Sequence, residues 1–202
     1  MNLGLLALAV APGLAIAIYI YWRDKHEKEP IGLLVKCFLL GVLTIIPAGI
    51  IEALILGKLE LDFGDMGFLA ALVSAFIFVG LTEEAVKFWV LMKYAYSKPD
   101  FNEPFDGIVY SVMISLGFAT FENIMYVYQL GAGVGVLRMF TAVPMHAACG
   151  IIMGYHVGMA KFGGSSAKNG LMFAVLLHGT YDFFLLQGVS PFLYLFIVPV
   201  LI

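Results

Sequence analysis

Apolar runs of bilayer length, separated by short charged connections, recur along this chain. A hydrocarbon core of ~30 Å needs about 20 helical residues to cross it. Inside that core only helices or closed barrels satisfy every backbone polar group. The runs here come in lengths that match such helical spans. The chain is therefore read as all-α, a polytopic transmembrane helix bundle of about seven spans. They cover about 3–22, 31–57, 66–92, 105–129, 137–160 and 169–187, with a short seventh from about 190 to the end. That last segment is too short to cross upright, so it is either re-entrant or the end of a kinked hairpin.

Composition agrees. Of 202 residues, 62% are hydrophobic and 12% charged, against about 25% charged in soluble domains. The eleven Lys and Arg are scattered, which excludes a nucleic-acid surface. Cys37 and Cys149 lie in apolar runs and read as buried small hydrophobes. The apolar N-terminus lacks a basic leader and reads as a retained first span. Arg23, Lys25 and Lys28 mark the first connection, Lys93 and Lys98 the third, Lys161 and Lys168 the fifth. The even connections are acidic or nearly uncharged, with only Lys58 and Arg138. Positive charge marks the cytoplasmic side, so a cell-membrane protein with an extracytoplasmic N-terminus is expected.

Ionisable residues deep in a membrane are costly and mark functional sites by default. The third run carries Glu83, Glu84 and Lys87. Glu83 and Lys87, four apart, share a face and can pair. Glu84 points about 100° away. The fourth run carries Phe118, Glu122 and Asn123, the fifth His146, and the sixth His178 and Asp182. Structural ion pairs or interhelical polar contacts are the competing explanation for each. His156, nearer a rim, reads as structural, and His26 as solvated. Glu52 and Lys36 sit towards the ends of the second run, where snorkelling relieves them. At about 1.5 Å per residue the deep groups fall within roughly 10 Å of one another in depth.

Carboxylates and imidazoles in a low-dielectric bundle are the parts of a hydrolase. A buried glutamate can take a proton from water, a histidine can protonate the leaving amine, and further donors such as Asn123 can hold an oxyanion. No Ser or Cys has an evident base beside it, so an activated water is expected rather than an acyl-enzyme. His146 and His178 with Glu83 or Glu122 also permit a two-His, one-carboxylate zinc site. The close-spaced zinc signature is absent, and no cofactor is assigned.

Four motifs now stand in order: Glu83-Glu84-x-x-Lys87, Phe118-x-x-x-Glu122, the lone His146, and His178-x-x-x-Asp182. In types and spacing they resemble the PrsW family of integral-membrane proteases. Relatives of that family, the CAAX-processing and bacteriocin-protection proteases, carry arginine one position beyond Lys87 and histidine where Glu122 stands. The resemblance implies one protease domain over 1–202 with a motif-bearing core of 66–187. It implies Glu83 as water-activating base with Glu84 beside it, and His178 and Asp182 stabilising the oxyanion. His146 is the candidate to hold the water in place of the relatives' histidine. It further implies a single-pass membrane protein substrate, an anti-sigma factor given its first cut in a stress response. A proton- or cation-coupled transporter and a non-catalytic scaffold are the alternatives.

Overall fold

The computed structural model describes residues 2–25, 27–59, 67–164 and 166–188, with residues 56–59 described as backbone only. Every extended element among them is helical. We number them α1 (Leu3–Arg23), α2 (Ile31–Leu59), α3 (Phe68–Ala95), α4 (Pro104–Leu130), α5 (Ala132–Phe140), α6 (Ala142–Lys161) and α7 (Ala167–Leu186). Among the described residues six stretches are long and apolar enough to cross a membrane, with α5 and α6 forming one of them. The expected spans match these within a few residues. The expected seventh segment and the acidic second connection lie outside the described residues.

Helix α4 is the hub and packs on α1, α2 and α6. Glycines make this possible, because lipid gives helices little drive to associate other than close packing. A Cβ at Gly41 would overlap the Ile114 backbone, and one at Gly117 the Phe38 carbonyl, so α2 and α4 touch backbone to backbone there. On the other side, Gly154 of α6 meets the Gly107 backbone of α4, and Gly158 meets Pro104. Pro104 and Asp106 start α4. Asp106 Oδ2 accepts the backbone N–H groups of Asn102 (2.8 Å) and Glu103 (2.7 Å).

Two features depart from the sequence reading. The sequence reading leaves residues 130–136, with glycines at 131, 133 and 135, as a connection between two spans. Only Gly131, at φ 86°, forms the turn, and Ala132 already begins α5. One left-handed residue suffices to reverse the chain, and Gly135 then lets α5 close onto Leu8 and Val127. Helix α3 is also not uniform, because Ser74–Gly80 and Leu91–Ala95 are π-helical. A π turn holds more residues than an α turn, so it rotates whatever follows it, and such turns recur at functional sites. The first one ends just before Glu83.

Candidate active site

The turns of α3 after that wide stretch aim Glu83, Glu84 and Lys87 into the bundle, and all three are buried. The lysine does not choose between the acids. Its Nζ lies 3.2 Å from Glu83 Oε2, 2.8 Å from Glu84 Oε1 and 3.2 Å from His146 Nδ1. An ammonium has three donors, and here it has three buried partners. Its charge also sits 4.1 Å over the Phe118 ring, which is the structural use of that phenylalanine.

These contacts decide the state of His146. Lys87 can only donate, so Nδ1 of His146 accepts, and the ring proton sits on Nε2. Nε2 then donates to Glu122 Oε2 at 3.0 Å. The same oxygen accepts from Arg138 Nη2 at 2.7 Å. Arg138 comes from α5. Its Nε reaches Asn123 Oδ1 at 3.2 Å, and its guanidinium stacks on Tyr126 at 4.0 Å. Asn123 spends its amide on the Ala9 carbonyl, 2.9 Å away. It is thus a packing contact between α4 and α1, not the oxyanion donor that the sequence reading allowed.

His178 completes the group from α7. Nδ1 lies 2.8 Å from Glu84 Oε1, and Nε2 lies 3.2 Å from Asp182 Oδ2 and 3.8 Å from Glu83 Oε2. Both nitrogens therefore face carboxylate oxygens, and the ring can serve both as donor only as an imidazolium. The two imidazoles meet edge to face at 5.0 Å.

A cavity of ≈ 380 Å³ opens onto this group. Glu83, Glu122, His146, His178 and Asp182 line it, whereas Glu84 and Lys87 form the layer behind. The structure thus gathers all six sequence-derived acids and imidazoles, from four helices, around one space. His156 stacks on Phe173, apart from them. Further polar residues line the cavity. Tyr181 donates to Thr141 Oγ1 at 3.1 Å. Arg138 had been counted as a connection charge, and Glu52 as a snorkelling one. Glu52 instead faces the cavity, since it lies two turns inside a helix that runs on to Leu59.

Comparison with known proteins gives the family. Residues 29–202 match the PrsW family intramembrane metalloprotease description. The chain belongs to the PrsW family. It is 38% identical over 186 residues to Protease PrsW of Geobacillus kaustophilus, covering 90% of this chain and 80% of that relative. Protease PrsW of Oceanobacillus iheyensis is 39% identical over 194 residues, covering 94% and 86%. Protease PrsW of Bacillus subtilis is 34% identical over 195 residues, with the same coverage. No solved structure matches. As a family member the chain is a multi-pass membrane peptidase, not a transporter or a scaffold.

The family description names a metalloprotease. The donor set fits a divalent cation once Lys87 Nζ leaves its place among Glu83, Glu84 and His146 and His178 is neutral. Glu83, Glu84, His146 and His178 each offer one ligand atom, all within 4.8 Å of one another and all buried. Imidazole and carboxylate are ordinary zinc donors. Glu84 Oε2 is buried with no hydrogen-bond donor among the described residues. Charge points the same way. Glu52, Glu83, Glu84, Glu122 and Asp182 outnumber Lys87, Arg138 and the His178 imidazolium around the cavity, and buried charge requires compensation.

Proposed function

We propose that this PrsW-family peptidase hydrolyses its substrate with a water activated by Glu83, and that it makes the first cut in a membrane-spanning anti-sigma factor. One observation carries the catalytic part: Glu83 alone of the glutamate pair lines the cavity, with His178 and Asp182 on the same wall. Lys87 anchors Glu83 Oε2 from behind, which leaves the other oxygen for a water. In this reading Glu83 takes a proton from that water as its oxygen attacks the scissile carbonyl carbon. The His178 imidazolium, backed by Glu84 and Asp182, gives a proton to the amide nitrogen as the C–N bond breaks. The products are a carboxylic acid and an amine. In this reading Arg138 and the His178 N–H, which line the cavity, stabilise the negative charge that develops on the carbonyl oxygen. A zinc ion held by Glu83, Glu84, His146 and His178 would require a neutral His178 and a displaced Lys87, and would supply Lewis acidity and acidify the attacking water in place of Glu83 as base.

The substrate part rests on the family resemblance and on the site's depth. A site built from four spans suits a single-pass membrane protein cut at or near the bilayer. The catalytic unit in this reading is a single domain, 1–202, with its core at 66–187. The test uses purified chain and a single-pass membrane substrate of the anti-sigma type. Wild type yields one discrete product, and Glu83→Gln and His178→Ala each lose it by at least about 10³-fold (about 4 kcal/mol). Unchanged cleavage by Glu83→Gln would remove this glutamate from the mechanism. Product loss on chelation, restored by zinc together with one equivalent of bound metal, would assign the ion.

A further inference from the structure

Helices α2 and α4 touch backbone to backbone at Gly41 and Gly117, then part. Beyond that contact a second cavity of ≈ 360 Å³ opens between them. Its walls are apolar: Ile45, Ala48 and Gly49 from α2, Phe118, Phe121 and Met125 from α4. It is continuous with the first cavity, for Glu52, Glu83, Glu122 and Tyr126 line both.

Two details on α2 point to an occupant. Gly49 is the first. A glycine in a helix interior costs about 1 kcal/mol relative to alanine. Gly41 and Gly117 explain themselves by close packing. Gly49 does not, because a Cβ there would meet nothing within 4 Å. Its effect is to leave the groove open. Pro47, which cannot donate to the carbonyl four residues before it, lies in the same stretch. Glu52, one turn further on, is the second detail. Its Oε1 is buried without a hydrogen-bond partner among the described residues, and buried polar atoms are seldom left so.

We infer that the groove between α2 and α4 is the specificity subsite for one large apolar side chain of the substrate, next to the scissile bond, and that Glu52 accepts a backbone N–H of the same segment. This rests on the peptidase reading above. An extended strand places a side chain and its own N–H at neighbouring positions, and α2 offers the apolar slot at Gly49 and the acceptor at Glu52 three residues apart, on one helix face. Both open directly onto Glu83, so a side chain in the slot would fix which peptide bond meets the water. Recognition by a preformed apolar pocket with a few placed polar groups is the ordinary pattern for such sites.

The experiment uses the full chain in detergent or nanodiscs. Single-pass membrane peptides carry Ala, Val, Leu or Phe in turn at each position flanking the cut mapped for wild type. Wild type should prefer Leu or Phe at one such position. Gly49→Leu, whose Cβ meets no atom within 4 Å, should lower cleavage of the Leu and Phe peptides more than that of the Ala peptide. It should lose the Leu and Phe peptides by about 10- to 100-fold. Gly49→Ala should rank between the two. Glu52→Gln should raise KM for all peptides, leave the side-chain ranking intact and change kcat less than KM. A Gly49→Leu protein that lowers all peptides equally, with Gly49→Ala equally blind to side-chain size, overturns the subsite. If wild type cuts but Glu83→Gln cuts as well, the catalytic assignment fails and the subsite stands on its own ranking. A wild type that cuts nothing overturns both.

Discussion

Lys87 shows how one side chain can hold a site without touching substrate. Its three donors serve Glu83, Glu84 and His146, so its loss strands two buried carboxylates. Lys87→Met should therefore destabilise by about 3–5 kcal/mol, read as a lower unfolding temperature in detergent, whereas Glu83→Gln should shift it far less. Arg138 should behave in the opposite way. It lies at the rim of the group, so Arg138→Gln should lower kcat about 10²-fold, the size of a lost oxyanion donor, with little change in KM. Arg138→Lys should recover part of this, and steady-state kinetics on one substrate decides it. An effect confined to KM would make Arg138 a binding residue only. These residues also show what a sequence can reveal. The Glu83–Lys87 and His178–Asp182 pairs were legible because helical spacing alone sets them face to face. Arg138 and Glu52 were not, because their roles depend on how separate helices turn towards one another, which local spacing does not encode. The pairing of Lys87 with Glu84 as well as Glu83 was hidden for a related reason: a long, flexible ammonium reaches partners at both three and four residues.

At the scale of elements, helix extents were legible from apolar run length, while the π turns before Glu83 and the short helix α5 were not. Each is a local change in winding or direction that leaves hydropathy unaltered. The seams between helices carry the fold, and the glycine seam of α4 and α6 is the most exacting. Gly154→Leu would drive a side chain into the Gly107 backbone, and backbone cannot yield as a side chain can. Such overpacking costs about 1–3 kcal/mol or more, so this variant should lose its monodisperse peak on size exclusion, while Gly49→Leu on α2 keeps it. The first connection carries a different strain. Glu29 is buried there beside Asp106, and burial together with that neighbouring carboxylate pushes its pKa from 4.5 up to about 9. The folded state thus binds this proton more tightly than the unfolded chain. Its stabilisation is complete below about pH 4.5 and drains away as pH rises towards about 9. Glu29→Gln should remove that slope, giving an unfolding temperature less sensitive between pH 5 and 9 and higher than wild type at the alkaline end. Parallel curves for the two proteins would show that Glu29 is ionised throughout.

For the whole molecule the open question is which way the bundle faces, and here packing and charge speak together. The three basic connections converge at one end. Asn102 Nδ2 of the third donates to Glu27 Oε2 of the first at 3.1 Å. Lys161, at the end of α6, donates to the Tyr96 carbonyl after α3 at 2.7 Å. Lys28 caps the end of α1 through the Tyr21 and Asp24 carbonyls. At the other end, Arg138 is turned inwards onto Glu122 and so does not act as a connection charge. Removing it from the count sharpens the asymmetry that the positive-inside rule reads. By that rule we propose that the basic end lies in the cytoplasm, with the N-terminus and the turn at Gly131 outside. The cavity lined by α5's Arg138 then faces the outer half of the bilayer, where a substrate's extracytoplasmic flank would reach it. Both native cysteines are buried and free, so they can be replaced by serine to give a silent background. In that background, Asn2→Cys and Gly133→Cys should react with a membrane-impermeant maleimide on intact cells. Lys98→Cys and Gly163→Cys should react only after the membrane is opened. The reverse pattern would invert the bundle and place the cavity on the cytoplasmic side, where an extracytoplasmic first cut is impossible, so this labelling tests the substrate reading as well as the orientation.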